Sequence, residues 1–217
     1  LPQAVLFTRR VESAQIATRT GELTVTRQAE ADRRIVVRAQ RDSATSTNSW
    51  LFLNGDLADD AWPRADRFER RGTAVKVAVN LTEREVKGLL YNTFPTGVRT
   101  GLPVHLNAAF FSDRSRRHIE QNGQEGKWNR TALRCLGQTL ADNVILIRDN
   151  SKPSILWNLI CSVYRVRNAE NLEVPEVGDY WELLRSELRR LPVVRTDGGQ
   201  WVTAHRARSR PNDSDIT

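Results

Sequence analysis

Six side chains able to bind or titrate crowd one short stretch of this sequence: Arg99, His105, Arg114, Arg116, Arg117 and His118 all fall between Pro95 and Ile119. Arginine suits anions, because its planar fork gives two parallel hydrogen bonds to a phosphate or carboxylate. The run Ser112-Asp113-Arg114-Ser115-Arg116-Arg117-His118 directly follows a strand-like segment, so it would present guanidinium groups on a turn. A solvated basic loop is the plainer account of the same composition. His105 is out of phase with Val104, Leu106, Ala108 and Phe110, so on a strand it points to the opposite face, as a structural partner or as a base. His205 lies near the end of the chain and carries no signal.

Other chemistries find little support. No GxxxxGK[ST] or GxGxxG motif is present, and Gly101, Gly123 and Gly126 do not form a phosphate cradle. No GxSxG nucleophile elbow accompanies the Ser, His and Asp residues. Cys135 and Cys161 sit in apolar, helix-like stretches without CxxC or Cys/His spacing, so they read as buried thiols and not as a metal or redox pair. Two such cysteines suit a reducing, cytoplasmic compartment. Asn80-Leu81-Thr82 and Asn129-Arg130-Thr131 fit the glycosylation pattern, with nothing else to suggest secretion.

The elements that must position the arginines divide by type. Ala4 to Phe7, Ala14 to Thr18, Leu23 to Thr26, Ile35 to Val37, Trp50 to Leu53, the alternating Val75-Val77-Val79-Leu81 and Val104 to Phe110 read as strands, spaced as in an antiparallel sheet. Asn54-Gly55 signals a turn. Residues 54 to 73 read as a long polar connection, and Pro95 to Gly101 as a loop of turn formers. Three helices follow. One is capped by Asn129, with Leu133, Leu136, Leu140, Val144 and Ile147 on one face. A second opens at Pro153 and carries Ile155, Leu156, Leu159, Ile160 and Val163. A third starts near Gly178-Asp179 and ends at Pro192. Val193 to Thr203, around Asp197-Gly198-Gly199, reads as a hairpin. Trp128 and Trp201 read as core anchors.

With 217 residues and 39% apolar composition the chain can bury a core, and no apolar run approaches the ~20 residues a membrane helix needs. There is no Met, so the chain reads as a piece of a longer protein. The net charge of +7 invites a nucleic-acid partner. The basic residues are spread along the chain among acids, however, and almost all are arginines, so a solvated surface accounts for them better.

The residues Pro95-Thr96-Gly97-Val98-Arg99-Thr100-Gly101-Leu102-Pro103-Val104-His105-Leu106-Asn107-Ala108-Ala109-Phe110-Phe111, then Ser115-Arg116-Arg117, then Trp128-Asn129, resemble sacsin-type proteins. In that family a TGLPVH(V/I)N…F strand precedes a Ser/Asn/Asp-Arg turn and a WN helix start. The resemblance is good over residues 95 to 147 and looser at Leu6-Phe7 and at the hairpin from Pro192-Val193 to Trp201-Val202. Sacsin-type proteins are related to the ninety-kilodalton heat-shock chaperone, in the gyrase, histidine-kinase and MutL ATPase class. The resemblance implies an α+β fold with a mixed, mostly antiparallel sheet packed by helices, like a transducer or middle domain. This would occupy residues 1–148, followed by a helical extension with a hairpin at 149–208 and a flexible tail at 209–217. ATP and Mg2+ would be bound mainly by an upstream ATP-binding domain of the same protein, the expected partner, with no cofactor bound by this chain alone. By the same resemblance a basic residue here reaches the terminal phosphate. Arg116 matches that position, Arg117 is next in line, and Arg99 and Arg114 are further candidates for nucleotide contact. The family usually carries one or two basic residues in this turn; here Arg114, Arg116 and Arg117 crowd together, so the register can slip by two. Two other functions fit the residues: a nucleic-acid-binding module, whose affinity would fall steeply with salt, and a protein-client domain. The latter expects an exposed apolar patch on the helices of residues 150 to 191.

Overall fold

A computed structural model describes residues 2–8, 10–18, 21–30, 33–57, 71–82, 86–166 and 176–207. The middle of the expected connection, 58–70, and the expected tail, 209–217, lie outside the described residues. The fold is α+β. Strands β1 (Ser13–Thr18), β2 (Gly21–Ala29), β3 (Arg34–Arg41), β4 (Ala44–Asp56), β5 (Ala74–Asn80), β6 (Leu89–Asn92), β7 (Phe94–Arg99) and β8 (Val104–Asn107) form one sheet. Their order is β1-β2-β3-β4-β5-β8-β6-β7. All neighbours are antiparallel except β6 and β8, which run parallel, so the sheet is mixed. Helices α1 (Gly123–Asp142), α2 (Val144–Asn150), α3 (Pro153–Val166) and α4 (Glu176–Arg190) follow, then a hairpin of β9 (Pro192–Arg195) and β10 (Trp201–Thr203).

Register explains why the central strands read as nearly continuous apolar runs: both of their faces are covered. Leu51 pairs with Val79, Leu53 with Val77, and Val77 with Leu106. These side chains meet Trp128, Leu133, Leu136 and Leu140 of α1 in one core, which continues into Leu156, Leu159, Val163, Leu184, Leu188 and Val193. The other face carries Phe52, Ala78, Trp50 and Tyr91, covered by Val5, Leu6 and Phe7. The contact of α1 with β4 is close. A Cβ on Gly55 would lie 2.1 Å from Thr139 Oγ1, so only glycine fits there.

Several sequence expectations change. Ala4 to Phe7 is not a strand: Pro2–Val5 forms a 3-10 turn, with Leu6 N–H donating to the Gln3 carbonyl and Thr8 N–H to that of Val5. A short apolar run does not distinguish a strand from a turn buried on all sides. Asn54-Gly55 is not a turn, because β4 continues to Asp56 and pairs Asn54 with Lys76 and Gly55 with Val75. Pro95 to Gly101 is mostly strand β7, and β6 before it carried no clear alternation. Strand β8 stops at Asn107, short of Phe110. The first helix starts at Gly123, so Asn129 lies inside it, and it breaks at Asn143 before Val144 and Ile147.

Candidate functional site

The basic run after β8 forms a closed loop. Ser112 and Ile119 pair across its base as an isolated antiparallel bridge. Asp113 organises the interior. It accepts from the Ser115 hydroxyl and, at 3.1 Å, from the His118 N–H. The Asp113 carbonyl accepts from the Arg116 N–H at 3.1 Å. The Ser115 hydrogen bond, then those from the His118 and Arg117 backbone, hold the Asp113 carboxyl below its ordinary range.

Three side chains fasten this loop to the domain. Asn129 of α1 accepts from Phe111 N–H at 2.8 Å and donates to the carbonyls of Phe111 at 2.7 Å and Glu120 at 2.8 Å, joining the two ends of the loop. It is buried, and both of its N–H groups and its oxygen are engaged. Trp128 Nε1 donates to the Ala109 carbonyl at 2.9 Å. Arg71 donates to the carbonyls of Ala109 and Phe110, both at 2.8 Å, while its guanidinium sits 3.5 Å above the Phe111 ring. Burial lowers the Arg71 pKa, with Glu125 opposing the shift.

The loop also docks on β7. Gly97 N–H donates to the Arg116 carbonyl at 2.8 Å. A Cβ on Gly97 would approach Arg117 Cα at 3.2 Å, so glycine lets the loop backbone lie against the strand. Thr96 Oγ1 ties β7 back to the Leu90 carbonyl at 2.9 Å. Thr100 Oγ1 bonds to the Leu102 carbonyl at 3.0 Å and the Val104 carbonyl at 3.1 Å, shaping the turn into β8.

The four candidate arginines separate in this frame. Arg116 is in the left-handed region, with φ 59°, and its side chain folds inward. Its Nη2 donates to the carbonyl of Asn92 at 2.7 Å and of Phe94 at 3.1 Å, and its Nε is buried without a partner among the described residues. Arg114 and Arg117 are exposed on the loop. Arg99 stands at the far end of β7, beside a cavity of about 300 Å³ that Lys87 and Arg165 also line. It stands five positions along the strand from Phe94, roughly 16 Å away. The turn held by Arg116 also forms one wall of a cleft of about 450 Å³, lined by Phe7, Arg10, Lys76, Asn92, Thr93 and Phe94. The loop can therefore offer two outward guanidinium groups on a fixed backbone.

His105 is fully buried against Trp50 and Tyr91, each with its ring centre 5.1 Å away. Its Nδ1 accepts from the Leu89 N–H at 3.1 Å. Burial pushes its pKa down to about 4, so it is neutral at pH 7. It lies on the face away from α1, with no substrate-sized opening beside it in either cleft described above. Cys135 and Cys161 are free and half-buried, and burial raises the Cys135 pKa. Both sequon asparagines, Asn80 and Asn129, are buried. Among the described residues no cluster of His, Cys, Asp and Glu could hold a metal, and no helix is long and apolar enough to cross a membrane.

Sequence reading missed Arg71 and mistook Asn129 for a helix cap. The signal for Asn129 was available: an Asn beside Trp, in phase with Leu133 and Leu136, falls on the buried stripe and needs partners there. Arg71 offered no such signal.

Comparison with known proteins supports a sacsin-like relationship and nothing finer. The chain is 25% identical to sacsin from Homo sapiens over 127 residues, 56% of this chain and 3% of sacsin. No family model and no solved structure matches the chain.

Proposed function

We propose that this chain is the transducer segment of a sacsin-like, chaperone-type ATPase, and that its Ser112–Ile119 loop meets the terminal phosphate of a nucleotide held by a separate ATP-binding domain of the same protein. ATP and Mg2+ belong to that other domain in this reading. The observation that carries it is the division of labour among neighbouring arginines: Arg116 is tied to the Asn92 and Phe94 carbonyls, while Arg114 and Arg117 point outward from a loop fixed at both ends. Arg117 is the phosphate contact, Arg114 supplies flanking charge, and Arg116 is a positioning residue. A guanidinium held in place before the reaction stabilises the charge of the transferring phosphoryl group without reorganising. The loop joins β8 directly to α1, so a pull on Arg117 is transmitted to the sheet and to the longest helix of the fold.

ATP turnover of the parent protein tests this. Arg117→Ala should lower the rate on the order of a hundredfold and leave the fold intact. Arg116→Ala should lower both rate and stability. Turnover unchanged by either substitution would remove the phosphate role and leave only a shared fold with sacsin.

A further inference from the structure

Helix α3 presents two adjoining stripes that its core contacts do not use. Leu156, Leu159, Ile160 and Val163 face the core. One residue further round, Trp157, Cys161 and Tyr164 recur at spacings of four and three and line a groove of about 700 Å³ with Leu188, Val193 and Val194. Trp157 is 56% exposed and Tyr164 41%. Large aromatic surface left open on a concave apolar wall marks an interaction site. The groove is rigidly framed. Arg185 of α4 is 3% exposed and donates to the Val163 carbonyl from Nε at 3.1 Å and from Nη2 at 2.9 Å, pinning α4 to the last turn of α3.

The next stripe is Asn158, Ser162 and Arg165, which line the 300 Å³ cavity with Lys87 and Arg99. Arg165 lines both cavities. Among the described residues no carboxylate lines either one, and Lys87 and Arg165 have no acidic partner. The rim is basic too. Exposed Arg189, Arg195 and Arg206 follow or flank the lining residues Leu188, Val194, Ala204 and Ala207. Glu187, the acid next to Leu188, lies 3.7 Å from Arg190.

We infer that this face docks a segment of a partner protein in which aromatic or aliphatic anchors stand next to carboxylates. The anchors fill the groove of Trp157 and Tyr164, and the carboxylates reach Arg165 and the cavity of Lys87 and Arg99. Charge complementarity selects an acidic segment, and the concave aliphatic floor of Ile160, Leu188 and Val193 selects apolar side chains. A nucleic-acid strand fits less well. It needs flat stacking platforms along a continuous cationic track, whereas the cations here gather at one end and on the rim.

Selection of a random displayed-peptide library on the 217-residue chain, followed by anisotropy titration of the winners, decides the matter. The expected winners carry an apolar anchor beside at least one pair of Asp or Glu residues. Their affinity should fall at least about tenfold with Trp157→Ser and with Arg165→Glu; both side chains are exposed, so neither change threatens folding. Winners without acidic bias, or binding indifferent to both substitutions, overturn the proposal. So does a fluorescent oligo-dT that binds this face more tightly than any selected peptide. Acidic winners obtained only with a chain ending at Ala207 would make residues 208–217 the occupant, and would also overturn it.

Discussion

Arg116 Nη2 donates to the carbonyl of Asn92 at 2.7 Å, so the basic loop after β8 and the β6–β7 turn are a single mechanical unit. The same guanidinium reaches Phe94, and the Arg116 carbonyl receives the Gly97 N–H. Hydrogen bonds from a charged donor contribute about 1.5–3 kcal/mol. Arg116→Ala should lower stability to denaturant by that amount. Arg116→Gly should be less damaging by about 1–2 kcal/mol, because glycine adopts the φ of 59° without the left-handed strain that alanine meets. Equal midpoints for the two variants would argue against the left-handed backbone at this residue.

Asn129 holds the other side of the loop. Asn129→Asp removes both donations, to the Phe111 and Glu120 carbonyls, and sets a carboxylate against them. A loss of roughly 3 kcal/mol or more is expected from equilibrium unfolding, since unpartnered buried polar groups cost about 1–3 kcal/mol each. Tolerance of this substitution would mean the loop is not clamped at both ends.

His105 makes stability depend on pH. Its folded pKa of about 4 lies below the ordinary value of 6.5. Between those values the unfolded chain binds a proton and the folded chain does not. Stability is therefore full above pH 6.5 and falls as the pH drops toward 4, by up to roughly 3 kcal/mol at 1.36 kcal/mol per unit. Urea midpoints measured across this window should slope in the wild type and flatten in His105→Phe. A slope that survives the substitution would assign the dependence to another group.

Gly97 sets how closely the loop can lie on β7. Valine there would press its Cβ and methyl groups into the Arg117 backbone, costing about 1–3 kcal/mol. Amide exchange in residues 112–119 should accelerate more than in α1. Uniform acceleration would show that the strain is shared across the domain.

How much of this the sequence revealed depended on what each signal encodes. The alternation in Val75 to Val79 and the spacing of Leu133, Leu136 and Leu140 specify faces, and those faces are buried as expected. The motif from Thr96 to Phe110 marked the right region, but its composition of turn formers concealed β7. There Thr96 and Thr100 bond to backbone while Gly97 receives the loop, so turn-like residues serve a strand's edge contacts. Gly55 misled in the same way, because a turn signal and a close helix approach call for the same residue. The division among Arg114, Arg116 and Arg117 was beyond reach. Which guanidinium folds inward depends on carbonyls of Asn92 and Phe94, more than twenty residues earlier.

In the proposed function the loop reads the terminal phosphate through Arg117 on a frame set by Arg116. Steady-state ATP hydrolysis by the parent protein carrying Arg117→Ala, with the unfolding midpoint followed in parallel, tests it most directly. A rate lower on the order of a hundredfold with an unchanged midpoint is expected. A wild-type rate in that variant would contradict it.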